Sequence, residues 1–249
     1  MANASKAVVG QFTTDPVRFM ESNIVVCFEG GPGAGGMGSH TGGGSAPVLV
    51  ETRTNFVLEI LDPPYYVASK LGQALPVYRV TQVPAASGES FNAYICSYGQ
   101  HMTFGVTLGK AANLMVTAQM DGCSLGVGSA ASDGSRLVYH SNAGGDAAKQ
   151  AAALAAALPG GQKKWEKTDY QTDKLIGYWG FNQYLKSTAI GVLKKDTWTF
   201  WAQVYEWVKA GTHSETVTLG ADQGAFAGLT KTVTKEVTKI YLRDVRKIA

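Results

Sequence analysis

Along most of this chain apolar and polar residues alternate in short runs separated by Gly, Pro, Asn and Asp. That is the pattern of strands that turn one face to a core. Residues 22–29 are apolar and β-branched and predict a buried strand. Residues 47–61 alternate Val48, Val50 and Thr52 against Leu49 and Glu51, and stop at Asp62-Pro63-Pro64. Further strands are expected over 77–83, 91–98, 102–107, 113–120, 123–127 and 135–141. Residues 197–208 put Trp198, Phe200 and Ala202 on one face, and 216–219 and 232–242 complete the set. Helical signals are fewer. Residues 146–158 offer Asp146 as a cap, an alanine-rich body and Pro159-Gly160-Gly161 as a stop. Residues 65–75, ended by Pro76, and 174–187, despite Gly177 and Gly180, are the other two candidate helices. No repeat and no linker divides the chain, so residues 1–249 are expected to form one α+β domain with a sheet-rich core.

The composition narrows the function classes. With 45% hydrophobic and 16% charged residues in 249, the chain can bury a large core. A net charge of +3 is too small and too dispersed to point to nucleic acid. No run approaches the 18 or so apolar residues of a membrane-spanning helix, so no membrane insertion is expected. Residues 1–20 have no apolar stretch of signal-peptide type, which fits a reducing interior or export by a signal-independent route. Cys27, Cys96 and Cys123 cannot all pair and have no CxxC spacing, so neither a disulfide framework nor a metal site is expected. In the run 30–45, Gly31-x-Gly33-x-x-Gly36 matches the dinucleotide fingerprint in form. More glycine follows it where a helix should begin, and a surface loop is expected there without a cofactor.

One cluster has the residue types of a thiol active site. Cys123 follows Gly122, which permits a sharp turn that could expose the sulfur and free backbone N–H groups for an oxyanion. His140, on the return strand, is the candidate base, and Thr117 the candidate orienter of its imidazole, with Asp121 and Asn142 as alternatives. An odd register sum between 123–127 and 135–141 would put Cys123 and His140 on one side of the sheet. A two-residue turn at Asp133-Gly134 would instead pair His140 with Val127, roughly 13 Å from Cys123 along the strand. Direct pairing requires a wider loop, over 128–135, centred two residues earlier. Cys27 and Cys96 read as core residues.

The run Met120-Asp121-Gly122-Cys123, with Thr117 six residues before the cysteine and a strand-borne His140 after it, resembles the thiol glutamine deamidase superfamily. That family includes Burkholderia lethal factor, the catalytic domain of cytotoxic necrotizing factor and the chemotaxis deamidase CheD. The run differs from the toxin signature Leu-Ser-Gly-Cys at two positions, Met120 and Asp121. The resemblance covers residues 117–140 and implies a β-sandwich flanked by a few helices and a toxin- or effector-type protein-glutamine deamidase. In that mechanism His140 takes the proton of Cys123, Thr117 orients His140, and the backbone at Gly122 holds the oxyanion. The thiolate attacks the carboxamide of a glutamine on a macromolecular partner, which for a toxin is a protein of the host cytosol; ammonia leaves and water hydrolyses the thioester. No cofactor or metal takes part. A cysteine protease or a transglutaminase uses the same residue types. A non-catalytic β-sandwich that binds carbohydrate or a partner through Trp198, Trp201, Tyr205 and Trp207 is the rival from another class.

Overall fold

The computed structural model describes residues 2–27, 47–50, 53–61, 66–99, 101–143, 146–171, 184–218 and 229–249. The glycine-rich run 30–45 and most of the expected helix over 174–187 lie outside these. Residues 184–187 are strand.

The chain opens with β1 (Ala2–Asn3) and two short helices, α1 (Lys6–Thr14) and α2 (Pro16–Ser22). Ser5 caps the first through its hydroxyl to the Val8 N–H, and Asp15 caps the second through its carboxylate to the Arg18 N–H, with Pro16 at the first helical position. There follow β2 (Ile24–Val26), β3 (Val48–Leu49), β4 (Arg53–Ile60), β5 (Tyr66–Lys70), β6 (Gln73–Leu75), β7 (Val77–Val83) and β8 (Ser90–Cys96). The middle of the chain forms β9 (Thr103–Leu108), β10 (Leu114–Thr117), β11 (Ser124–Ala130) and β12 (Arg136–Ser141), then α3 (Ala147–Ala157), β13 (Gln162–Trp165) and α4 (Lys167–Tyr170). Three long strands end it: β14 (Tyr184–Lys194), β15 (Thr197–Thr218) and β16 (Thr230–Lys247).

The expected helix over 65–75 is the hairpin β5–β6. Leu71 and Gly72 both take positive φ, 50° and 84°, and make the two-residue turn that helical spacing had concealed. Of the expected strand over 216–219, residues 216–218 are the outer part of β15 and 219 lies outside the described residues. The helices α1 and α2 were not anticipated.

Among the described residues, eleven strands join one sheet in the order β2-β7-β4-β8-β10-β14-β15-β16-β5-β6, with β1 beside β4. The sheet curls toward a closed barrel. Ile24 and Val26 of β2 and Val77 of β7, near one end, pack with Ala68 of β5 and Ile240 and Leu242 of β16, near the other. Gln203, fully buried on β15, ties the turn back to the helices. Its amide donates to the carbonyls of Met20 at 2.7 Å and Asn23 at 2.6 Å, and its Oε1 accepts from the Val25 N–H at 2.8 Å. Helices α1 and α2 lay Val9, Phe12, Phe19 and Met20 on β4, β7 and β8.

A second sheet, β13-β11-β12-β9-β3, packs on β8, β10, β14 and β15. Helix α3 covers its outer face through Leu154 and Leu158, which rest against Tyr139. Gly126 of β11 lets the helix approach: a Cβ there would stand 3.0 Å from Leu154 and from the Gln162 amide oxygen. The sheet-rich expectation is met, with four helices among the described residues; the main body is a barrel-like large sheet and not a clear form of the expected β-sandwich.

Replacing Gln203 with leucine leaves three backbone groups near the core unpaired, so the variant is expected to lose about 3 kcal/mol or more of stability. Urea unfolding of the two proteins, compared through their midpoints, measures it.

Candidate functional site

Strands β11 and β12 place the candidate residues. Their register pairs Ser124 with Ser141, Leu125 with His140, Gly126 with Tyr139 and Val127 with Val138, and shifts by one residue between Val127 and Ala130. This lies midway between the two registers considered from the sequence. The irregularity beside the turn absorbs one residue, and Ala131 N–H bonds the Ser135 carbonyl to close the loop. The register sum is odd, so Cys123 and His140 fall on one side of the sheet as diagonal neighbours, typically about 7–8 Å apart at Cα. The residue directly across from Cys123 is Asn142.

That side of the sheet is the interior. Cys123 is 0% exposed and lies in the core between the two sheets with Met120, Leu125, Val127 and Val138. Its sulfur accepts a hydrogen bond from the Asn142 side-chain amide at 3.3 Å. The same amide group lies 3.4 Å from the Tyr98 hydroxyl, and the Asn142 side-chain Oδ1 accepts from the His101 N–H at 3.0 Å. His140 is 1% exposed, its ring 5.7 Å from that of Tyr98. Neither imidazole nitrogen has a hydrogen-bond partner among the described residues. Burial lowers its pKa from 6.5 to about 4, so the ring is neutral near pH 7. Cys27 and Cys96, also fully buried, have thiol pKa values pushed far up by desolvation.

Thr117 belongs to the other sheet. It ends β10, and its hydroxyl exchanges 3.3 Å hydrogen bonds with the backbone of Ala189 on β14, donating to the carbonyl and accepting from the N–H. The chain crosses from one sheet to the other over residues 118–122, so a spacing of six residues does not bring the Thr117 hydroxyl to His140. Gly122 is buried and has φ 148°, a value that favours glycine. Its N–H donates to the Tyr170 hydroxyl at 2.9 Å, so that candidate oxyanion donor is engaged. The Tyr170 hydroxyl in turn donates to the Cys123 carbonyl at 2.8 Å.

Two residues that the sequence reading passed over hold this segment. One is Tyr170 on α4. The other is Gln150 on α3, fully buried, whose Nε2 donates to the carbonyls of Gly122 at 2.7 Å and Asn142 at 2.6 Å. Its Oε1 accepts from the Ser124 hydroxyl at 2.6 Å. The available signal was its place four residues before Leu154, on the one apolar seam of an alanine-rich helix.

The arrangement binds backbone to backbone through side chains and leaves the thiol enclosed. Two surface clefts of about 370 and 540 Å³ lie beside the N-terminal helices, the first against Phe91 and Asn92 and the second around Asp15 and Arg18; neither is lined by Cys123 or His140. Among the described residues no three His, Cys, Asp or Glu side chains come together as a metal-binding group, and no helix is long and apolar enough to cross a membrane.

His140 sets a pH dependence. The unfolded chain binds its proton below about 6.5 and the folded protein only below about 4, so stability present above pH 6.5 is lost as pH falls through that window. The full loss is about 3 kcal/mol. His140→Leu is expected to remove most of this fall, read as unfolding free energy at pH 7 and pH 4. No protein-family model matches the chain, and no curated protein matches it.

Proposed function

We propose that this protein works as a non-catalytic binding module, one that meets a protein partner along its extended β-structure. The observation that carries this reading is the state of Cys123. Its sulfur has no exposure and is held by Asn142, while the Gly122 N–H is engaged by Tyr170. A thiol nucleophile needs access, a base and free oxyanion donors. A carbohydrate platform has less support, since Trp198 and Tyr205 are buried in the core and only Trp201 and Trp207 are partly exposed. The Trp207 ring already carries the Lys186 ammonium at 5.0 Å from its centroid.

A second reading has its own observation. Cys123 and His140 share one side of a sheet, and the imidazole has no partner among the described residues. A thiol deamidase of the kind its sequence resembles would use that pair, after an opening that exposes both and brings them together.

Thiol reactivity separates the two. As a binding module the folded protein at pH 7 should leave Cys27, Cys96 and Cys123 unlabelled by iodoacetamide, and all three should react in denaturant. Selective labelling of Cys123 in the folded protein, slowed by His140→Ala, would overturn the binding-module reading. Ammonia release from a glutamine-bearing protein substrate would then identify the reaction.

A further inference from the structure

The last strand gathers the charge of the chain. β16 holds six lysines and arginines and two carboxylates, Glu236 and Asp244, a net of +4 against +3 for all 249 residues. Its two faces differ. Thr238, Ile240 and Leu242 are buried toward the interior. The alternate positions, Lys231, Val233, Lys235, Val237, Lys239 and Tyr241, face outward, with the lysines exposed and the valines and tyrosine half-buried. Arg243 follows at the register shift opposite Val204 and Tyr205, and it too is exposed. Cations thus recur at every fourth residue over about 40 Å, at about 3.3 Å per residue, with apolar side chains between them.

Two of these cations are already answered: Lys235 lies 3.5 Å from the Glu215 carboxylate, and Arg243 bonds the buried Glu206. Lys231 and Lys239 have no carboxylate partner among the described residues. Val217, 36% exposed, stands beside Lys231 on β15. The turn between β5 and β6 adds a second apolar element. Leu71 there is fully exposed and has φ 50°. Ser69 pairs with Tyr241, and continuing that parallel register sets Leu71 level with Arg243. A leucine in left-handed backbone is strained where glycine or asparagine would not be, and at full exposure its side chain gives the core nothing in return.

We infer that the outward face of β16 and the Leu71 turn adsorb this protein to an anionic lipid surface, the lysines meeting headgroups and Leu71 entering the boundary between headgroups and acyl chains. This contact goes beyond the binding-module reading and does not depend on it. The mixture of residues selects the occupant. An anionic leaflet attracts each lysine near it through its surface potential, and the flexible lysine stems let the valines between them approach the lipid. A nucleic acid would leave Leu71 and the valines without a counterpart, since phosphate contacts are polar. An acidic protein would need a pocket for a projecting leucine and carboxylates at the same long spacing. A fluid bilayer needs no complementary shape, and its attraction grows with buried apolar area and with charge.

Co-sedimentation of the intact chain with lipid vesicles tests it. Vesicles of phosphatidylcholine with about 30% phosphatidylserine should bind the protein about tenfold or more tightly than phosphatidylcholine alone, and added salt should weaken that binding. Lys231→Gln with Lys239→Gln should cost about tenfold or more, while Lys163→Gln with Lys164→Gln, the same charge change on β13, should cost no more than about twofold. Leu71→Asn should weaken binding about tenfold, through the lost apolar side chain. The same variant should keep or raise the urea midpoint, because asparagine takes positive φ more readily than leucine. Equal binding to the two kinds of vesicle, equal losses from the two lysine pairs, or full binding by Leu71→Asn would each overturn the inference. So would capture of poly-L-glutamate through Lys231 and Lys239 by a protein that leaves both vesicles unbound, which is the behaviour of a surface made for an acidic protein.

Discussion

Two buried glutamines hold the parts of this molecule that sheet pairing leaves unserved. A primary amide can donate twice and accept, which suits it to places where strands end and backbone groups lose their ladder partners. Gln203 serves the end of α2 and the start of β2, and so fixes how the large sheet curls over its own interior. Gln150 serves Gly122, Ser124 and Asn142, and so fixes α3 on the smaller sheet. Each sits in a low-dielectric interior where an unpaired polar group is costly, so the packing around it is specified narrowly.

The candidate site inherits this constraint. Gln150 and Tyr170 tie α3 and α4 to the backbone at Gly122 and Cys123, while the sulfur is enclosed in the core between the two sheets. His140 is on the same interior face, and its neutrality is the electrostatic outcome of burial without an acceptor. Structural satisfaction and chemical availability compete for the same few groups here, and the geometry favours the first.

Much of the local structure was legible. Short extended runs bounded by turn residues marked β7, β8, β9, β11 and β12, most of whose positions are buried, and the Asp146 cap with the Pro159-Gly160-Gly161 stop marked α3. The hairpin at Leu71-Gly72 was hidden because leucine rarely takes positive φ, so the pair did not read as a turn. The site was legible as residue types and misleading as an assembly. Thr117 and Cys123 are six residues apart yet belong to different sheets, and nothing local shows that β10 pairs with β14, more than seventy residues on. The register of β11 with β12 turned on a single irregular residue near Gly128 that composition allowed without requiring. Gln150 and Tyr170 act only through contacts with a distant segment, and distance along the chain is what sequence pattern does not carry.

The parallel pairing of β5 with β16 joins Tyr66 to Thr238, and the partners of Gln203 lie about 180 residues before it. A chain emerging from the ribosome therefore completes its first helices and β2 long before the strands that cover them exist. Until the final strands arrive, the apolar faces of Val25, Phe56 and Leu58 have only part of their packing. Closure of the large sheet is thus a late, non-local event in synthesis, and protection of the nascent chain during that interval falls to whatever shields exposed strand edges in the cell.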